Sequence, residues 1–158
     1  MSISKTIIND GAEIKYQASA ATTILYKRMF GADPEDFLKK RAERLKDIAP
    51  DLKDITARYA EIKDRPDDDP EKKSLISKLT ENKEFAAVLM ESFEFWKQYS
   101  FICWLEANED PRNINKRLNV DEYTFYIMKF TEAYFVANTA AFQALHDGNL
   151  RQTSNPKN

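Results

Sequence analysis

Few side chains in this sequence could do covalent or metal chemistry. Its one cysteine, Cys103, and its one histidine, His146, are the residue types that a thiol nucleophile and its base require. Such a pair can assemble from distant positions, so spacing alone does not exclude it. Asp67, Asp68 and Asp69 stand in a row, but without the alternating ligand spacing and turn glycine of a calcium loop. They read as a solvated acidic loop. The only glycines, Gly11, Gly31 and Gly148, lie too far apart to build a phosphate-cradling turn. No coherent set of acid, base and nucleophile emerges. The expectation is a protein that is not an enzyme and holds no cofactor and no metal.

The elements that could position a binding surface are better marked. A chain of 158 residues suits one domain that buries a core without disulfides. Its formal net charge of −2, with cations and anions interleaved, lacks the basic stripe needed for nucleic acid. No apolar run approaches the roughly 20 residues of a membrane span. "MSISKTIIND" has neither the basic nor the apolar region of a secretory signal. A lone cysteine suits a reducing compartment. These features together predict a soluble intracellular protein.

The N-terminus predicts a β-hairpin over about 5–18, with Thr6 to Ile8 as one strand, Asn9-Asp10-Gly11 as the turn, and Glu13 to Gln17 as the other. Helices should follow over about 22–146. Thr22 or Thr23 is placed to cap a short helix through Phe30, which Gly31 would stop. Asp33-Pro34-Glu35-Asp36 opens the next helix, and Ala49-Pro50 should break it. "DRPDDDPEKK" is loop chemistry, after which Asp69-Pro70 begins another helix. Phe85 to Leu105 is apolar around most of its circumference, so it is a central helix or one covered by a partner. Asn119 and Glu122 form a capping box for one last long helix ending near Gly148. The fold class is mainly α, a helical bundle with a short N-terminal β-hairpin. It forms a single domain over 1–148, followed by a disordered polar tail over 149–158.

Aromatic residues concentrate in the last two helices. The default reading is a thick core. The sharper expectation is that one folded copy cannot hide all these rings. Phe101, Trp104, Phe125 and Phe135 lie off the main stripes and are expected to face outward as anchors for an amphipathic helix. Tyr26, Arg28 and Phe30 near the N-terminus and Arg112 at the rim complete the candidate partner-binding set. Cys103 reads as a small buried hydrophobe.

"IKYQASAATTILYKRMFGAD", Ile14 to Asp33, resembles the N-terminal signature of tail assembly chaperones from long-tailed phages of Gram-positive hosts. In those proteins a β element and a small-residue run lead into Thr and then a Tyr-Lys/Arg-x-x-Phe-Gly-x-Asp helix end. Thr22, Thr23, Tyr26, Lys27, Arg28, Phe30, Gly31 and Asp33 supply that order. The layout of a charged middle and two aromatic helices is similar too. The chain has Ile24 where the family often has proline, and Arg117-Leu118 where it often has a Trp-Leu segment. The resemblance implies a non-catalytic protein of the host cytoplasm, absent from the mature virion. It would keep the helical tape measure protein soluble and help recruit the tail tube protein. Avidity would come from several copies on one partner, with homo-oligomerisation left open. It also implies a longer form made by ribosomal slippage, for which Pro156-Lys157-Asn158 could supply a slippery codon run. Two other classes fit a small helical protein: a head–tail connector that stays in the virion, and a helical adaptor binding one host protein.

Overall fold

Asp10 and Gly11 set the first element. In the computed structural model, which describes residues 2–154, strands β1 (Ser2–Asn9) and β2 (Ala12–Ser19) pair antiparallel from Asn9–Ala12 out to Ser2–Ser19. Both turn residues have positive φ, 50° and 81°, the geometry of a two-residue type I′ turn. The hairpin is therefore the expected one, extended at its open end.

Helix α1 (Ala21–Phe30) stops where Gly31 turns left-handed and its N–H reaches the Lys27 carbonyl, 2.8 Å away. Its start corrects the expected cap. Thr22 lies inside the first turn, fully buried, where its Oγ1 accepts the Ser19 N–H and donates to Glu106, while Thr23 is exposed. Helix α2 (Pro34–Ile48) begins as expected, with Asp33 Oδ1 accepting the Glu35 N–H. A 3-10 turn over Ala49–Leu52 marks the Ala49-Pro50 break, and α3 (Lys53–Ile62) follows. The Asp69 carboxylate caps α4 (Pro70–Glu81) through the Lys72 N–H. Asn82 likewise accepts from Phe85 at the head of α5 (Lys83–Asn108).

The expected final helix is two helices. Helix α6 (Val120–Ile127) ends at Met128, and α7 (Glu132–Ser154) restarts after a turn. Thr131 drives the restart, since its hydroxyl accepts the Tyr134 N–H at 3.1 Å and Glu132 stands at the dipole's positive end. Only half of the capping box forms at Asn119. Its side chain accepts the Glu122 N–H, but the Glu122 carboxylate turns to Arg117. Gly148 is not a helix end either. A Cβ there would sit 2.8 Å from Ile3 Cδ1, so glycine leaves room for the end of the Ile3 side chain against α7. The tail expected over 149–158 is corrected for 149–154, which are helical; 155–158 lie outside the described residues.

The chain divides into two compact units, one of Phe37–Ser92 and the other of the residues up to Asp36 and from Phe93 onward. The hairpin, α1, the C-terminal part of α5, α6 and α7 make the second of these. Its core holds Tyr16, Trp96, Tyr99, Phe101, Ile102, Leu105, Tyr126 and Phe142, all nearly inaccessible. A chain of hydroxyls crosses it. Ser100 Oγ donates to the Lys97 carbonyl, so Tyr126 must donate to Ser100 (2.8 Å), Tyr16 to Tyr126 (3.0 Å), and Tyr134 to Tyr16 (2.5 Å). Each hydroxyl spends its one proton and none is orphaned, which is what lets four polar groups sit at such depth. Burial raises the pKa values of Tyr16, Tyr126 and Tyr134, keeping the chain protonated.

The unit of Phe37–Ser92 relies more on charge. Leu52, Ile62, Leu75, Leu79 and Val88 are buried. The buried Lys72 ammonium gathers the acidic loop by donating to the carbonyls of Lys63 and Arg65 and to Asp67, each at 2.9–3.0 Å. Arg58 grips Glu71 with two hydrogen bonds, and Arg65 adds a third. The Arg58 hydrogen bonds hold the Glu71 carboxyl at about 2, below its ordinary 4.5. A depressed carboxyl stabilises the fold above its unfolded value and loses that contribution as pH falls toward 2. Acid titration followed by circular dichroism should therefore show a smaller loss of stability between pH 4.5 and 2 in Glu71→Gln than in the parent.

Candidate functional site

The residues expected to bind a partner separate into two groups. Tyr26 is buried, its ring tilted against those of Phe30, Phe95 and Tyr99, and its hydroxyl donates to Gln98. Phe101 is fully buried against Tyr123 and Tyr126, and Phe135 lies under Tyr126, Phe130 and Tyr134. The outward orientation expected for Phe101 and Phe135 is thus corrected, and Tyr26 offers no free surface. The physical reason is that α5 is covered on several sides, so Phe101, off its main stripe, still meets α6, while Phe135 on α7 packs against Tyr126 and Phe130 from the preceding helix and turn. Phe30 is half-buried against Tyr26 and Tyr123. Arg28 is exposed and donates to Asn115, and Arg112 is exposed and paired with Asp110.

The second group forms a surface. Phe125 is 67% exposed on α6, with Val120 at 71% and Met128 at 77%. At about 100° per residue these three fall within an arc of about 140°, one side of the helix. Trp104 is half-buried beside them, its ring 5.2 Å from that of Tyr126. Lys129 ties the patch together, with its Nζ 5.8 Å from the Trp104 ring and 5.1 Å from the Phe125 ring. Arg117 covers Trp104 from another direction while bonded to Glu109 and Glu122. Lys129 has no carboxylate partner among the described residues, so it adds a positive charge to the rim of this apolar patch. Val120, Met128 and Lys129 were missed from sequence because one continuous helix was expected. Met128 stands three residues after Phe125, a spacing that would have flagged it.

The polar groups form separate clusters. His146 is buried, with Nε2 2.5 Å from Glu35 and Nδ1 3.0 Å from Asp147, and with the edges of Trp96 and Tyr99 around its ring. Both nitrogens therefore face carboxylates, and no thiol–imidazole pair is assembled. Cys103 is fully buried, and burial pushes its thiol well up, away from the nucleophilic thiolate. Two cavities flank Ser19. One, of about 250 Å³, reaches Glu35, His146 and Asn149; the other, of about 220 Å³, reaches Glu106, Leu25 and Ile114.

Glu106 accepts from Ser19 Oγ and Thr22 Oγ1, one hydroxyl on each carboxylate oxygen. Burial nevertheless raises its pKa, with the two hydroxyls opposing the shift. A raised carboxyl favours folding below its unfolded value and loses that contribution as pH rises through the folded one. Glu106→Gln should therefore gain stability on the parent as pH rises from 4.5 toward neutrality, read as a flatter dependence of melting temperature on pH.

Among the described residues no group of three His, Cys, Asp or Glu side chains could hold a metal ion, and no helix is long and apolar enough to cross a membrane. In comparison with known proteins, the chain matches no family model, no curated protein and no solved structure.

Proposed function

We propose that this protein is a phage tail assembly chaperone that binds the tape measure protein, keeps it soluble and helps bring tail tube protein to it. The observation that carries the reading is the α6 surface. Val120, Phe125 and Met128 project into solvent beside Trp104, and the Lys129 ammonium borders them. Exposed aromatic and methionine side chains are common anchors for amphipathic helices, and a Met-bearing surface adapts to varied sequences. The cationic rim favours a partner helix with acidic flanks. The resemblance of Ile14–Asp33 to that family's signature supplies the identity of the partner.

The protein would act in the host cytoplasm and leave before the virion is complete. Co-expression tests this directly, because an otherwise insoluble tape measure protein should stay in solution and co-purify with this chain. Failure to recover such a complex at any stoichiometry counts against the proposal. Mass spectrometry of purified virions should not find the protein, whereas a head–tail connector would be present.

A further inference from the structure

We propose that the free edge of β1 is a self-association site, where two copies of this chain join their hairpins into one four-stranded antiparallel sheet. The site is separate from the α6 surface and does not depend on the function assigned to that surface.

The two edges of the hairpin differ. Asn9 and Ala12 close a two-residue turn and form a hydrogen-bonded pair, so Ile3, Lys5, Ile7 and Asn9 direct their backbone groups at β2. Ser4, Thr6 and Ile8 on β1, and Glu13, Lys15, Gln17 and Ser19 on β2, direct theirs away from the hairpin. Side chains cap the β2 edge. Asn108 Nδ2 donates to the Lys15 carbonyl at 2.9 Å, Asn149 Nδ2 donates to the Ser19 carbonyl at 3.0 Å, and the Ser19 N–H reaches Thr22 Oγ1 at 2.8 Å. The β1 edge has no such cap. The sheet has two strands, and among the described residues no hydrogen bond from outside it meets the backbone of Ser4, Thr6 or Ile8.

Edge strands normally carry a device against pairing, such as proline, a bulge, outward charges or a covering element. Strand β1 pairs without a bulge over eight residues and contains no proline. Its one charged residue, Lys5, belongs to the alternate set that includes Ile3 and Ile7. That set faces α7, since Ile3 lies against Gly148 and Ile7 is buried. Ser4 and Thr6 are exposed, and Ile8 is 63% exposed.

Hydrogen-bond complementarity selects the occupant. A row of alternating donors and acceptors along an extended strand is matched by another such row, and a second copy brings the same uncapped β1 edge. A two-fold axis makes that contact self-complementary. Pairing centred on Lys5 would set two ammonium side chains directly opposite each other, which is unfavourable. Pairing centred on Thr6 sets the two Thr6 residues together and Ser4 of each copy opposite Ile8 of the other, with about six hydrogen bonds between the strands. Each Lys5 then stands opposite an Ile7, and every outward backbone group from Ser4 to Ile8 is used.

Sedimentation of the full chain over about a hundredfold range of concentration should show a monomer passing to a dimer. Thr6→Lys puts like charges across the axis and should weaken dimerisation roughly tenfold or more. Thr6→Pro removes an outward N–H while sparing the bonds to β2, and serves as the second variant should the first perturb the fold. Gln17→Lys, on the β2 edge, should dimerise like the parent. Backbone amide exchange gives an independent reading. The Ser4, Thr6 and Ile8 amides should exchange more slowly as concentration rises, whereas those of Glu13 and Gln17 should not change. A chain that stays monomeric throughout would overturn the proposal. So would a dimer that both Thr6 variants leave intact, or one that Phe125→Glu dissolves and Thr6→Lys does not, since the contact would then lie on α6.

Discussion

Phe101→Ala is expected to destabilise the unit built on the hairpin, α1, α6 and α7 by about 3–5 kcal/mol, the cost of truncating a fully enclosed phenylalanine. Phe101 has no accessible surface, and the rings of Tyr123 and Tyr126 lie 5.4 and 5.6 Å from its own. Truncation removes a ring packed against Tyr126, whose hydroxyl is bonded to Ser100 and Tyr16, and so leaves a cavity next to the hydroxyl chain. Urea denaturation followed by tryptophan fluorescence gives the measurement, because Trp96 and Trp104 both belong to that unit. A change under 1 kcal/mol would mean that Phe101 is a surface ring after all. The same substitution at Phe125, which is two-thirds exposed, should leave the midpoint nearly unchanged.

That contrast shows where the sequence was readable. Local chemistry carried the hairpin turn, the Gly31 stop, the Asp69 cap and the Ala49-Pro50 break, because each depends on residues within one turn of the chain. The break between α6 and α7 was also local, at Thr131-Glu132, but the aromatic spacing on either side continued in helical phase and hid it. The facing of Phe101 and Phe135 was not local at all. A helical wheel assigns one inner stripe, whereas the C-terminal part of α5 buries Phe95, Trp96, Tyr99, Ser100, Phe101, Ile102, Cys103 and Leu105, which together cover most of its circumference.

The expected surplus of rings is consequently much smaller than composition suggests. Among the large aromatic side chains, Phe125 alone of those described is strongly exposed, and aliphatic Val120 and Met128 supply the rest of the patch. Glu106, Thr22 and the Glu35–His146–Asp147 cluster were illegible for a related reason. Apart from the Ser19–Thr22 and His146–Asp147 contacts, their partners are 84 or more residues away, and no spacing rule links them.

Phe125→Glu combined with Met128→Glu should abolish retention of the tape measure protein in the soluble fraction while leaving the circular dichroism spectrum and melting temperature of the free protein unchanged. Both side chains are largely in water in the free chain, so the substitutions remove little packing. In a complex, however, each carboxylate would have to be desolvated against an apolar helix face. Losing one central anchor typically costs about 2 kcal/mol or more, roughly thirtyfold in affinity, and the added charge increases that cost. Lys129→Glu is the informative companion. It keeps the apolar ridge but reverses the rim charge beside Trp104 and Phe125. If the partner helix has acidic flanks, this variant should bind more weakly and show an altered response to salt, because rim charges act through screened attraction. If Lys129→Glu binds as well as the parent while the double variant fails, apolar contact alone would hold the partner. If neither has any effect, the partner docks elsewhere and the α6 surface loses its assigned role.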